Sequence, residues 1–278
     1  MEKMWIAILA LGILGGVGPA FAQSDNLVTI EPVSGIVFTS DHQEIHYDHY
    51  RNGHRKIIVI AHGFFNSKGA VLLKTLAQEM LDEYDVLVMD FRGHGKSKGL
   101  FYWTAKEHLD LEAVLRYVRQ TYVEVGVIGF SLGAATSLIT AARTDLIDSL
   151  ISVSAPMEFE KIDYRFWELD VENDIFYNLV GEGRLGKGVR PGPFWLKKDK
   201  PINLVDKIKI PILYLHGEAD WLIKPFHSEE LFKNTVSQKR LVLIKNGPHA
   251  EYLLRKDKGE TLSAIQEWFQ ETLTGGNE

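Results

Sequence analysis

The sequence contains no cysteine. Disulfides and thiol chemistry are therefore excluded, and so is a lipid anchor attached through cysteine. A chain of 278 residues that is 45% hydrophobic must then be held by its core alone. An excess of positive charge is also lacking. Lys and Arg number 31 against 37 Asp and Glu, a net charge of −6, which argues against nucleic acid as a partner.

Long apolar runs are the third absence, with one exception at the N-terminus. Trp5 to Val17 is uninterrupted apolar and Gly residues, preceded by Lys3 and followed by the break at Gly18-Pro19. Ala20-Phe21-Ala22 then supplies small residues before Gln23, the layout of a secretory signal peptide cleaved after Ala22. The run is about 13 residues, short of the roughly 20 needed to span a bilayer, so an uncleaved anchor is the lesser reading. The expected products are a signal peptide over 1–22 and one domain over 23–278, secreted or periplasmic and without a stable membrane anchor. Cleavage removes Glu2 and Lys3 together and leaves the net charge unchanged.

What the chain does contain is alternation. Leu27 to Thr39 and Glu44 to Tyr50 read as an opening pair of strands. Lys56–Ala61 (KIIVIA) and Asp85–Asp90 (DVLVMD) are continuous apolar runs of the kind buried on both faces of a parallel sheet. Helical spacing follows each of them, over Gly69–Glu83 and from Thr104, where Thr104 and Glu107 match a capping box. Further strands fit Glu124–Gly129, Leu150–Ser154, Ile210–Gly217 and Leu241–Lys245, with helices at Leu132–Arg143, Phe226–Asn234 and Glu260–Leu273. This rhythm predicts an α/β fold: one mostly parallel sheet of about eight strands with helices on both faces. Residues 157–200 break the rhythm and read as a lid insertion, rich in aromatics such as Phe159, Trp167, Phe194 and Trp195. Its first half is acidic, from Glu158 and Glu160 to Glu172 and Asp174, which reads as a solvated face before a cation site.

Gly129-Phe130-Ser131-Leu132-Gly133 carries the chemistry. A Gly-x-Ser-x-Gly match alone is common; here it joins a buried strand to a helix, the setting in which a serine hydroxyl is held on a sharp turn above a sheet. A serine hydroxyl needs a base, and the base an orienting carboxylate. The loops after the two last strands supply them in the order Ser, acid, His: Asp220 in His216-Gly217-Glu218-Ala219-Asp220 and His249 in Asn246-Gly247-Pro248-His249. Glu218 is the rival acid, and His216 lies too close to its strand to serve as base. The backbone N–H of Leu132, at a helix start, is one candidate oxyanion donor. The Phe64 amide, in the loop after KIIVIA, is the other, with His62 and Gly63 shaping that turn.

The loops HGF, DFRGHGKS, GFSLGA and HGEAD, with the late Gly-Pro-His, together resemble the α/β-hydrolase superfamily. They are most similar to its serine aminopeptidase S33 or "hydrolase 4" branch, which includes monoglyceride lipase and esterase relatives. The resemblance runs from about Leu27 to Leu273. It implies an α/β-hydrolase fold, Ser131 as nucleophile, Asp220 as acid, His249 as base, and Phe64 with Leu132 as oxyanion donors. The loop reads HGF where many lipases and esterases have HGGG, which bears on the second donor.

Other features read as structural. His42, His46, His49 and His54 suggest a metal cluster, but His46 and His49 point to opposite faces of a strand and fit surface hairpin histidines better. The Arg92-Gly93-His94-Gly95-Lys96-Ser97 loop lacks the spacing of a phosphate cradle and reads as a tight loop at the rim of the site. Lys197-Lys198-Asp199-Lys200 reads as a solvated face. The expected function is hydrolysis of a small-molecule carboxylic ester without metal or cofactor. Amide hydrolysis or acyl transfer by the same triad is the alternative, and a non-catalytic binding protein on the same fold is the alternative of another class.

Overall fold

The computed structural model describes residues 29–162 and 189–274. Eight strands form one sheet: β1 (Val33–Phe38), β2 (Glu44–Tyr50), β3 (Lys56–Ala61), β4 (Asp85–Met89), β5 (Glu124–Phe130), β6 (Ser149–Val153), β7 (Ile212–Gly217) and β8 (Lys239–Ile244). Their order across the sheet is β1-β2-β4-β3-β5-β6-β7-β8. β1 and β2 pair antiparallel, as do β2 and β4, and every other pairing is parallel. From β3 onward, therefore, all strands end at the same edge, and the loops that leave that edge meet there.

Alternation along the strands sends side chains to two separate cores. Ile58 and Ile60 of β3 pack on one face with Leu73 and Leu76 of helix α1 (Val71–Met80) and with Trp268 and Phe269 of helix α6 (Lys258–Thr272). Ile57 and Val59 pack on the other face with Leu111, Val114 and Leu115 of helix α2 (Glu107–Val118). Leu138 of helix α3 (Leu132–Ala141) and Leu231 of helix α4 (Phe226–Asn234) join that second core. Each fully buried Leu or Ile contributes about 1.5–3 kcal/mol. Loss of cysteine is thus offset by a three-layer core. The short helix α5 (Leu253–Lys256) follows the β8 loop.

Three expectations from the sequence need correction. The first strand is shorter than Leu27–Thr39; Ile30 instead exchanges backbone hydrogen bonds with the Gln78 side chain of α1, at 3.2 and 2.8 Å, while Leu27 lies outside the described residues. The Thr104–Glu107 capping box does not form. Thr104 has φ +76° and its hydroxyl has no partner, whereas the Glu107 carboxylate accepts the N–H of Tyr102 at 2.6 Å and of Lys106 at 3.3 Å, so the helix starts at Glu107. Finally, His49 is not a surface residue. It is 1% exposed, its Nε2 meeting the Tyr122 hydroxyl at 2.8 Å, and Tyr122 in turn donates to Asp85 at 2.6 Å.

Of the expected lid, residues 163–188 lie outside the described residues, with Trp167 and the acidic positions from Asp163 onward among them. The described margins are tied down by charge. Lys200 reaches Glu158 at 2.7 Å and Glu160 at 3.4 Å, Lys198 donates to the Phe194 carbonyl, and Asp199 pairs with Arg143. The lysine run is therefore partly a set of anchors. No helix among the described residues is long and apolar enough to cross a membrane.

Buried neutral histidines make the fold sensitive to acid. Burial, helped by the charge of Arg51, lowers the His49 imidazole to about 4; burial beside His62 takes His94 to about 3, and burial beside His216 takes His227 to about 4. An unfolded imidazole titrates near 6.5. Between that value and about 4 the unfolded chain binds more protons than the folded one, so stability is full above pH 6.5 and falls as the pH drops. Urea unfolding at pH 7 and pH 5 is expected to show wild type losing about 1.4 kcal/mol more than His49→Phe at the lower pH, the worth of one imidazole over one pH unit. The comparison cancels the buried Asp110 and Glu107 carboxyls, whose raised pKa acts in the opposite sense. An equal loss in the two proteins would contradict the buried neutral state of His49.

Candidate active site

Ser131 stands between β5 and α3 with φ +49° and ψ −108°, a conformation that costs a non-glycine residue about 1–3 kcal/mol. The surroundings impose it. The Ser131 N–H donates to the Val153 carbonyl of β6 at 2.8 Å, and α3 begins at the next residue. The flanking glycines are required by close approach. A Cβ on Gly129 would lie 2.6 Å from the Ala134 Cα, and one on Gly133 would lie 2.2 Å from the Ala61 carbonyl oxygen of β3. Only without side chains can the helix start so close to two strand ends. Ser131 itself is 9% exposed. The Leu132 N–H is the first of α3 and has no acceptor within the helix, so it and the helix dipole favour negative charge beside Ser131.

Asp220 and His249, the candidate acid and base, meet in the loops after β7 and β8. Asp220 Oδ2 accepts from His249 Nδ1 at 2.6 Å. Its other oxygen accepts the N–H groups of Leu222 and Ile223 at 3.0 and 2.8 Å, and His216 Nε2 lies 3.3 Å from Oδ2. Asp220 is fully buried, and burial alone would raise its pKa. The positive charge available on His249 and the hydrogen bonds from His216 and His249 outweigh burial, holding the carboxyl well below the usual carboxylate range. With a charged Asp220 accepting at Nδ1, the His249 proton resides on Nδ1 and its Nε2 carries the lone pair. Glu218, the rival acid, is exposed.

His216 belongs to the support of this pair. Its Nε2 donates to the Ile223 carbonyl at 2.7 Å, and its Nδ1 lies 2.6 Å from the Ser228 hydroxyl of α4. The His249 segment is anchored separately. The Ala250 N–H donates to Ser154 Oγ at 3.2 Å, and Ser154, itself at φ +51°, donates its N–H to the Leu215 carbonyl of β7.

The loop after β3 carries the second oxyanion candidate. His62 Nε2 accepts the Phe91 N–H at 3.1 Å, so the imidazole proton is on Nδ1, which donates to the Gly63 carbonyl at 2.7 Å. The Asn66 N–H also donates to that carbonyl, at 3.2 Å. The Phe64 N–H belongs to the same peptide plane, pointing opposite to the held carbonyl. His62 thus orients the Phe64 amide.

Aromatic rings surround that loop. The Phe64 ring lies 5.2 Å from Phe101 and 5.5 Å from Trp103, and Phe65, 60% exposed at φ +60°, lies 4.1 Å from Phe64 with its ring tilted by 53°. Sequence reasoning singled out neither Phe101 nor Trp103, although three aromatics in a row follow the glycine loop at 101–103. That loop backs the aromatic group. His94 lies 6.0 Å from the Phe64 ring, and the buried Arg92 bridges Asp110 at 2.7 Å and Asp41 at 2.8 Å. Among the described residues no group of His, Asp and Glu is arranged to hold a metal ion. His46 pairs with Glu44 and His54 with the Leu81 carbonyl.

A family model described as "alpha/beta hydrolase fold" matches residues 56–174. An uncharacterized protein of Bacillus subtilis, YqkD, is 29% identical over 186 residues, 60% of this chain and 56% of its own length. The chain therefore spans little more than half of that relative. The human serine hydrolase BPHL is 23% identical over 274 residues, covering 88% of each chain. The structure of an esterase from Pyrococcus furiosus, Pf2001, superposes with a TM-score of 0.72 at 22% identity, over 95% of this chain and all of that one. With its strand order, its strained serine turn and these likenesses, the chain has the α/β-hydrolase fold.

Proposed function

We propose that the protein is a serine hydrolase that cleaves carboxylic esters. The observation that carries this reading is the Asp220–His249 hydrogen bond at 2.6 Å, formed at the same sheet edge as the strained turn bearing Ser131. Ser131 Oγ attacks the ester carbonyl and gives its proton to His249 Nε2. Asp220 stabilises the imidazolium without taking up the proton, because its charge is held by Leu222, Ile223 and His216. The Phe64 and Leu132 amides receive the oxyanion. His249 returns the proton to the leaving alcohol, and water then repeats the sequence to release the acid. The aromatic group at Phe64, Phe101 and Trp103 supports an apolar substrate portion beside the carbonyl.

The esterase likeness favours esters over amides and acyl acceptors other than water, and the motif resemblance favours the serine aminopeptidase branch. The apolar run at 5–17 and the Ala20-Phe21-Ala22 site support export. N-terminal sequencing of protein recovered outside the cytoplasm is expected to begin at Gln23; a start at Met1 would make the segment an anchor.

A fluorophosphonate probe is expected to label wild type and not Ser131→Ala, and nitrophenyl esters to be turned over by wild type alone. Failure of wild type to label would favour a binding protein, and activity surviving in Ser131→Ala would sink the mechanism. Asp220→Asn is expected to lower kcat by about 10⁴-fold, since the amide no longer selects the base tautomer. Its KM is expected to stay within a few-fold, as measured by steady-state kinetics on the same ester.

A further inference from the structure

We propose that Glu251 is a positioning residue for the oxyanion site, clamping the loop that carries the Phe64 amide to the segment that carries His249; this rests on the hydrolase reading above. Glu251 lies two residues after His249, on the helical turn Ala250–Tyr252, and its side chain is buried. Its Oε1 accepts the Gly63 N–H at 2.7 Å and the Asn66 Nδ2 at 2.9 Å. Neither Ser131, Asp220 nor His249 is bonded to this side chain, and a buried polar group is costly to keep unless it is hydrogen-bonded, as this one is.

The task follows from the glycine it holds. A Cβ on Gly63 would lie 2.9 and 3.2 Å from the two Glu251 oxygens, so the carboxylate occupies the space a side chain would need. A side chain at position 63 would have to displace that carboxylate, and the glycine found there has the least restrained φ and ψ of any residue. Free rotation there would swing the Phe64 N–H away from the carbonyl under attack. Two clamps remove the freedom. His62 and the Asn66 N–H hold the Gly63 carbonyl, which fixes the peptide plane after Gly63. Glu251 holds the Gly63 N–H, which fixes the plane before it, and it also holds the Asn66 side chain, whose Oδ1 accepts the Ser67 N–H at 2.9 Å. Because Glu251 and His249 share one turn, with the Tyr252 N–H donating to the His249 carbonyl at 3.1 Å, base and oxyanion donor are set by one rigid segment.

The test compares Glu251→Ala, Glu251→Gln and Asn66→Ala with wild type on a short-chain nitrophenyl ester, per folded site as counted by fluorophosphonate titration. Glu251→Ala is expected to lose about 10- to 100-fold in kcat with KM within about two-fold. It should weaken binding of a trifluoromethyl ketone, which forms a tetrahedral oxyanion on the serine, by a similar factor. Glu251→Gln keeps an acceptor oxygen and is expected to recover most of the loss. Asn66→Ala, which leaves Glu251 and Gly63 in place, is expected to lose kcat in the same sense by a smaller factor and covers the case in which Glu251→Ala does not fold. A lowered melting temperature with unchanged kcat per site, or a Gln variant as impaired as the Ala variant, would overturn the proposal. Activity retained in Ser131→Ala would instead overturn the hydrolase reading, so the two failures are separable.

Discussion

A carboxylate with no exposure at all, Asp220, sets the terms for the rest of the site. Removing such a group from water costs several kcal/mol unless its lone pairs are filled, and here they are filled from three directions. Its own loop gives the Leu222 and Ile223 amides, β7 gives His216, and the loop after β8 gives His249. The hydrogen bond on which the proposed catalysis rests is therefore also a structural one. The loop after β8 is drawn to the loop after β7 by the same contact that fixes the tautomer of the base. Second partners hold the orienters: His216 is itself fixed by Ser228 of α4 and by the Ile223 carbonyl.

The Ser131 side is built on sterics. Gly133 lets α3 start against the carbonyl end of β3, and that close approach forces Ser131 into the left-handed region. Ser154 and Ala250, also at positive φ, lie on the neighbouring segments, and the Ala250 N–H is bonded to the Ser154 hydroxyl. Backbone strain thus collects where β5, β6 and the base segment converge. It persists because eight paired strands and two buried cores over-determine those positions. The loop after β3 is less constrained by the sheet, which is why side chains from distant parts of the chain hold it.

Much of this was legible in the sequence, for identifiable reasons. KIIVIA and DVLVMD announce strands buried on both faces because no polar residue interrupts them, and strand ends in a parallel sheet share one edge. Ser131, Asp220 and His249 could be put forward as candidates from chain order because each stands in a segment that leaves the same edge of the sheet. The choice of Asp220 over Glu218 agrees with the burial of the first and the exposure of the second, although spacing alone left both open. The capping box at Thr104 misled because the same two residue types satisfy a different geometry, with Glu107 reaching back to Tyr102. His49 misled because strand parity says which face a side chain takes and nothing about what covers that face. Tyr122 covers it from far along the chain.

By itself, the sequence determined what depends on local pattern: the alternation of elements, the glycines that permit the serine turn, and the chain order of Ser131, Asp220 and His249. Periodicity and turn chemistry act over a few residues and can be read there. Only the tertiary structure decided which groups hold those residues in place. The pairings of Glu251 with Gly63, of His62 with Phe91, and of Phe64 with Phe101 and Trp103 join segments that no local pattern relates. They arise because the loops leaving a parallel sheet converge at one edge, and the contacts made there are set by packing distance, which a linear pattern does not contain.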